Sequence, residues 1–132
     1  MPITALYAGL LVPLFVLLSI RVIQKRRGAR VALGDGGDDE LLRRMRVQAN
    51  FAEYVPLALL LMALAESLKT DAWILHGLGI ALVVGRIVHA YGVSQSKESF
   101  SLRITGVALT STMLLVAAVA CILGSLQRSA GL

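Results

Sequence analysis

Residues 43–56 read RRMRVQANFAEYVP and carry polar side chains into a segment that otherwise has the composition of a membrane-spanning helix. Arg46, Asn50 and Glu53 are spaced i, i+4 and i+7, so they share one face of a helix. An amide and a carboxylate near hydrocarbon are costly unless they find partners, and such groups usually face the interior of a bundle. The stretch therefore predicts an intramembrane polar site on the second of several helices.

A second polar motif, GRIVHAYG at residues 85–92, interrupts the next apolar run. Arg86 and His89 are three residues apart and share one side of a helix. Residues 69–71 form a tight connection, so the two helices are antiparallel and their depths can be matched by counting. Glu53 lies roughly 9 Å and Arg86 roughly 10 Å from the same membrane face. We therefore expect the two polar clusters to meet at one level.

Composition places the whole chain in a membrane. Of its 132 residues 57% are hydrophobic, and the mean hydropathy is +0.77, whereas soluble domains are about 45 to 50% apolar. We expect an all-α integral membrane protein with one domain over residues 1–132, a four-transmembrane-helix bundle. Its spans are predicted at residues 3–24, 47–68, 72–93 and 102–126. Several small residues are expected to allow close helix packing, namely Gly77, Gly79, Ala81, Gly106 and Ala108.

The basic residues indicate the orientation. The connection opposite to the polar clusters has Lys69 alone, whereas many basic residues lie between the first and second spans: Lys25, Arg26, Arg27, Arg30, Arg43, Arg44 and Arg46. By the positive-inside rule both termini face outward, and the loop of residues 25–40 and the polar clusters face the cytoplasm. Because the charges crowd at helix ends without interleaved aromatic residues, the net charge of +5 does not indicate nucleic acid binding.

The charged side chains favour a small zwitterionic ligand. Guanidinium groups can hold carboxylates or stabilise a developing anion, and a carboxylate and an amide can accept from an ammonium group or an amide. The residues concerned are Arg46, Asn50, Glu53, Arg86 and Arg103. The sequence has no Walker loop, serine elbow or His and Cys pair with metal spacing, and GDGGDDE at residues 34–40 lacks calcium-loop spacing. No metal is expected.

Two simpler interpretations stay open from the residues alone. Arg86 and Glu53 can form a buried ion pair that fixes the helix register, with Asn50 bridging helices by hydrogen bonds. A small four-helix multidrug transporter has a similar length and number of spans. Such a pump needs a carboxylate within the membrane, typically in its first helix, and the first span here contains no acidic residue.

The motif RVQANFAEYVP, followed by GRIVHAYG and then by Arg103 at the start of the fourth span, resembles the MAPEG family. These are membrane-associated proteins in eicosanoid and glutathione metabolism, and the chain is most similar to their small bacterial inner-membrane members over about residues 43–126. The resemblance implies a left-handed four-helix bundle that assembles as a homotrimer. It also implies glutathione, as a co-substrate, bound between protomers on the cytoplasmic side, and a glutathione transferase or glutathione-dependent peroxidase activity.

The resemblance assigns roles by position. Arg46, Asn50 and Glu53 would hold the glutathione backbone, and Arg86 and His89 would line the same cleft. The second substrate would be a lipophilic electrophile or peroxide that enters sideways from the lipid bilayer.

Catalysis is assigned to Arg103, which would lie near the sulfur and stabilise the thiolate. The chain departs from the family pattern at Val93, where better-known eukaryotic members place a tyrosine in the glutathione site. Tyr91 is a candidate for glutathione binding, although its side chain points about 200° away from that of Val93 around the helix. A non-catalytic oligomeric membrane scaffold with the same fold is the alternative function.

Overall fold

Four long helices make up most of the protein. A computed structural model describes residues 1–131, and its helices are α1 (Pro2–Ala29), α2 (Asp39–Ser67), α3 (Ala72–Ser94) and α4 (Phe100–Ser129). Each is long and apolar enough to cross a membrane. The expected all-α architecture of four membrane-spanning helices is therefore confirmed. The end of the bundle where α1 ends, α2 begins and α3 is joined to α4 carries most of the basic residues, and we call it the basic end.

The start of α2 is held by its own acidic residues. Asp38 is the N-cap, and its carboxylate accepts a hydrogen bond from the amide of Leu41 at 2.9 Å. That hydrogen bond, together with the ammonium group of Lys25, keeps the pKa of Asp38 below its ordinary value. Lys25 lies 3.2 Å from Asp38 and 2.8 Å from Glu40, so the last turns of α1 are tied to the first turn of α2.

The helices form a bundle with α2 and α3 in the middle. Within residues 1–131, α1 packs against α2 and α3, and α4 packs against the same two helices, but α1 does not contact α4. One fully buried apolar side chain from each helix marks the core: Leu11, Met62, Leu82 and Met113. Large apolar side chains are exposed along all four helices, as expected for a protein that faces lipid.

Glycines bring α3 and α4 very close together. A Cβ atom on Gly106 would lie 2.6 Å from the Cβ of His89 and 2.7 Å from the carbonyl oxygen of Gly85. A Cβ atom on Gly92 would lie 2.8 Å from the Cβ of Leu102. Any side chain at either position would push the two helices apart. This contact sets the position of α4 beside the polar residues of α3.

At the other end of the bundle, α1 packs on α3 through an aromatic side chain. A Cβ atom on Gly79 would overlap the ring of Tyr7, whose hydroxyl lies 3.0 Å from Nδ1 of His76. The expectation of close packing is thus confirmed for Gly79. Gly77 and Ala108 do not pack closely within the protomer, since an added Cβ on Gly77 would meet open space and Ala108 is exposed.

The first turn of α1 is capped by a side chain from α2. The carboxylate of Glu66 accepts hydrogen bonds from the amides of Ile3 at 3.0 Å and Thr4 at 2.8 Å. The amides of a first helical turn have no partner within their own helix, and a carboxylate there also interacts favourably with the helix dipole. Glu66 therefore anchors the beginning of α1 to the end of α2.

Candidate functional site

Arg86 is a buried charged residue at the centre of the bundle. It is 2% exposed, and its guanidinium donates to three neutral acceptors on two other helices. These are the hydroxyl of Thr110 at 3.0 Å from Nε and 2.7 Å from Nη2, Asn50 Oδ1 at 2.5 Å from Nη1, and the carbonyl of Gly106 at 3.3 Å from Nη2. The ring of Tyr54 lies 5.6 Å from the guanidinium carbon. Arg86 thereby links α2, α3 and α4 at one level.

The structure brings Arg86 and Asn50 together but places Glu53 elsewhere. Within residues 1–131, Arg86 forms no salt bridge. The alternative interpretation, a buried ion pair between Arg86 and Glu53, is therefore wrong for the protomer. Glu53 instead lies 3.7 Å from Arg46, and both side chains are about half exposed, at 52% and 58%. The two polar clusters meet at one level, but the α2 residue that contacts Arg86 is Asn50, whereas Glu53 lies beside Arg46 and is half exposed.

A polar cavity opens at the basic end between α2, α3 and the start of α4. Its volume is about 290 Å³, and three of the predicted site residues line it: Arg46, His89 and Arg103. Five further residues complete its lining: Asp39, Leu42, Arg43, Val93 and Glu98. Three arginines and two carboxylates around one small space can bind both the anionic and the cationic groups of a zwitterion. We refer to this space as the polar cavity.

The charges around the polar cavity are already oriented by the fold. Nη1 of Arg103 lies 2.7 Å from the carboxylate of Glu98, in the connection between α3 and α4. Arg43 donates to the carbonyl of Gln95 at 2.8 Å in the same connection. Residues 95–99 are thus fastened to α2 on one side and to α4 on the other, and they form one wall of the cavity.

Arg103 also belongs to an apolar groove on the outer surface of α4. The groove has a volume of about 370 Å³, and the side chains that line it besides Arg103 are apolar: Phe100, Ile104, Val107 and Ala108. We call it the α4 groove. Of the residues that line either space, Arg103 is common to both. A compound dissolved in the lipid and a compound held in the polar cavity can therefore reach the same guanidinium group.

Tyr91 lies apart from the other predicted site residues. It is 61% exposed and faces the groove between α3 and α1, together with Arg21 and Ser94. His89 and Val93 face the polar cavity on the opposite side of α3. The side chain therefore does not reach the cavity within the protomer.

Two residues of the cavity that are not among the predicted site residues, Asp39 and Arg43, follow a regular helical spacing. Asp39, Arg43, Arg46 and Asn50 are separated by four, three and four residues, which is the spacing of a single stripe along α2. Arg43 is the first residue of the RRMRVQANFAEYVP motif, and continuing the same spacing by one helical turn towards the N-terminus reaches Asp39. Glu98 carries no such signal, because it lies in a connection whose path only the folded chain defines.

Comparison with known proteins agrees with this architecture. Residues 4–123 match the model of the MAPEG family. The chain is 41% identical over 90 residues to the Inner membrane protein YecN of Escherichia coli (strain K12), which is 68% of this chain and 69% of that protein. The YecN protein of Escherichia coli O6:H1 gives the same identity and coverage. The family match extends from the first turn of α1 into the last turns of α4.

Proposed function

The chain belongs to the MAPEG family, and from that membership and the polar cavity we propose that it binds glutathione and joins it to, or uses it to reduce, a lipophilic compound. The observation that carries the proposal is the position of Arg103, which lines both the polar cavity and the α4 groove. A polar thiol on one side and an apolar compound on the other then meet at one permanent positive charge.

The proposed chemistry uses that charge to stabilise a thiolate. A thiol with a pKa of about 8.5 is mostly protonated at neutral pH, and an adjacent guanidinium favours the deprotonated form. In transfer, the sulfur forms a bond to an electrophilic carbon, and the displaced group leaves with the electron pair of its bond. In reduction, the sulfur attacks a peroxide oxygen and an alcohol leaves. A second glutathione then converts the resulting sulfenic acid to a disulfide and water.

The residues of the cavity suit the charged groups of a glutathione molecule. Arg43 and Arg46 offer donors for its carboxylates, and Asp39 offers an acceptor for its ammonium group. Arg86 donates a hydrogen bond to Asn50, and neither residue lines the cavity. We assign them a positioning role, since this hydrogen bond fixes α2 against α3. His89 lines the cavity beside them.

A second and a third copy of the chain would complete the site. Glu53 and Arg46 are half exposed on the outer surface of the protomer, at a depth where the sequence predicts hydrocarbon. A carboxylate facing lipid is costly, so a protein surface covering this pair would stabilise it. The cavity volume of about 290 Å³ is also at the lower end of ligand sites. We therefore propose a homotrimer with glutathione at the interface between protomers.

We further propose a bacterial inner-membrane location, because the matched relative bears that name. The arginines of the basic end favour its placement on the cytoplasmic side, with both termini outward. A cysteine introduced at either end and probed with a membrane-impermeant thiol reagent in intact cells tests this orientation. Labelling at the basic end of intact cells would contradict it.

Glutathione binding is tested by thermal unfolding of the detergent-solubilised protein. We expect saturable stabilisation by glutathione and a much weaker affinity in Arg46→Ala. Arg27→Ala is the matched control, because Arg27 is an exposed arginine at the basic end that does not line the polar cavity. If glutathione has no effect on the wild-type protein, or if the two variants lose affinity equally, the assignment is wrong.

The role of Arg103 is tested by turnover of a model lipophilic electrophile such as chlorodinitrobenzene. Removing a charge that stabilises the reacting anion should lower kcat by about 10²-fold to 10³-fold and leave glutathione affinity nearly unchanged. Arg103→Lys, which keeps the charge without the planar group, should retain more activity than Arg103→Ala. Equal losses in turnover and affinity would reassign Arg103 to binding.

A non-catalytic scaffold is the second candidate function, and one contact favours it. The carboxylate of Glu98 lies 2.7 Å from Arg103, where it competes with a thiolate for the positive charge. Glu98→Gln separates the two functions. In an enzyme whose Arg103 is partly masked, this substitution should raise turnover. In a scaffold, neither the wild-type protein nor the variant should turn over any lipophilic electrophile, although glutathione still stabilises the fold.

A further inference from the structure

A groove on the opposite side of α3 from the polar cavity joins apolar and basic surfaces. It lies between α1 and α3, has a volume of about 320 Å³, and is largely apolar along its length: Leu14, Leu17, Leu18, Ile87 and Ala90. We call it the α1–α3 groove. At the basic end of the bundle it is closed by Arg21, Ser94 and Tyr91. Arg21 donates a hydrogen bond to the hydroxyl of Ser94 at 3.0 Å, so the two helices are bridged at that point.

A second, basic cavity continues from that end of the groove. Its volume is about 340 Å³, and it shares Arg21 and Ser94 with the groove. Its remaining lining combines two arginines with two acidic residues and a serine: Arg43, Arg44, Asp39, Glu40 and Ser96. Glu40 is already paired with Lys25 and Arg44, so the charge that remains around the cavity is positive.

Arg44, which lines this basic cavity, is held in place from two sides. Nε of Arg44 is buried and has no hydrogen-bond partner among the described residues, although the other end of its guanidinium contacts Glu40 and the carbonyl of Arg21. A buried donor without an acceptor is costly.

We propose that the α1–α3 groove binds a phospholipid with an anionic headgroup, whose phosphate is held by Arg21 and Ser94 and whose acyl chain lies along Leu17 and Ile87. Leu17 and Ile87 are both exposed, and the groove opens to the lipid-facing surface. A phospholipid carries a phosphate directly next to an apolar chain, which matches the order of the two spaces. Basic pockets between spanning helices are suited to lipid headgroups.

Tyr91 fits this occupant. It is an exposed aromatic residue three positions before the end of α3, at the level where α1 places Arg21. Tyrosine side chains are favoured at the boundary between hydrocarbon and headgroups, since the ring is apolar and the hydroxyl is polar. The groove lies on the face of α3 away from His89 and Val93. The basic cavity next to it shares Asp39 and Arg43 with the polar cavity, so the lipid titrations are done without glutathione.

The test uses the full chain in detergent, titrated with three probes and followed by thermal unfolding and native mass spectrometry. We expect phosphatidylglycerol to stabilise the protein saturably and to be retained in the gas phase. Phosphatidylcholine and glycerol phosphate, which lack the net charge or the acyl chains respectively, should have little effect. Equal stabilisation by phosphatidylcholine would indicate general lipid solvation, and equal stabilisation by glycerol phosphate would indicate an anion site without a lipid. Either result overturns the proposal.

Two variants and a matched control locate the site. Arg21→Ala removes a charge-assisted contact to the phosphate and should weaken phosphatidylglycerol binding about tenfold. Leu17→Trp fills the groove without removing a charge, and it should weaken binding while leaving the headgroup contacts intact. Arg27→Ala removes an equal charge from the same helix outside both spaces and should bind normally. Equal weakening in Arg27→Ala, or normal binding in Leu17→Trp, would refute the assignment even if Arg21→Ala fails to fold.

Discussion

Replacing Thr110 with valine tests whether the fold holds Arg86 as a charged group. The Thr110 hydroxyl accepts hydrogen bonds from Nε of Arg86 at 3.0 Å and from Nη2 at 2.7 Å, and both residues are buried. Valine keeps the shape of threonine but removes the oxygen. Nη2 then keeps the carbonyl of Gly106 at 3.3 Å, whereas Nε loses its acceptor.

The size of the effect distinguishes a charged from a neutral interaction. Side-chain hydrogen bonds between membrane helices contribute about 0.6 kcal/mol on average, so two ordinary ones would give about 1 kcal/mol. Hydrogen bonds to a charged group contribute about 1.5 to 3 kcal/mol each, so two give about 3 to 6 kcal/mol. Since the contact to Gly106 remains, we expect Thr110→Val to lower the free energy of unfolding by about 3 kcal/mol.

The measurement is reversible unfolding of the purified protein in mixed micelles, with two comparison variants. Thr112→Val makes the same change at an exposed position of α4 and should alter stability by less than about 0.5 kcal/mol. Thr110→Ser keeps the hydroxyl and should recover most of the loss. If Thr110→Val is no more harmful than Thr112→Val, or if serine is as harmful as valine, Arg86 is not held by this hydroxyl.

Three further outcomes follow from the packing and the caps. Gly106→Ala should destabilise the bundle by about 1 to 3 kcal/mol because the new methyl group overlaps α3; Gly77→Ala, whose added Cβ meets open space, should be nearly neutral, and equal effects would contradict the close approach. Glu66→Ala should cost about 1 kcal/mol and speed hydrogen exchange in the first turn of α1; unchanged exchange there would exclude the cap. The pKa of Asp38 is lowered by its hydrogen bond from Leu41, so the cap stabilises α2 above the ordinary pKa of about 3.9 and is lost as the pH falls through the lowered value. Acid-dependent exchange of the Leu41 amide should disappear in Asp38→Asn, and its persistence would assign the effect to another group.

Part of the site was predictable because helical geometry converts spacing into position. The count along two antiparallel helices placed the polar cluster of α2 level with Arg86, and the structure joins Asn50 of that cluster to Arg86 by a hydrogen bond. The count gave the depth of Glu53 but not the direction in which its side chain points. Asn50 and Glu53 are separated by about 60° around α2, and the edge of the helix contact falls between them. One faces α3, and the other faces outward beside Arg46.

The close contacts at small residues show the same limit. Small residues were expected to allow close packing, and Gly79 and Gly106 do so, whereas Gly77 and Ala108 lie on exposed faces. A small side chain permits a close approach without specifying which neighbour makes it. That choice depends on how the larger residues of the core interlock, which is a property of all four helices together.

The amino-acid sequence by itself determined the number of helices, their antiparallel order and the chemical character of the site, because hydropathy and the helical repeat act over neighbouring residues. Only the tertiary structure decided that Arg86 is satisfied by Thr110 and that Arg103 lies between a polar cavity and an apolar groove. Those contacts join residues far apart in the chain. Which side chains meet depends on how each helix is rotated about its own axis, because successive side chains point about 100° apart around a helix.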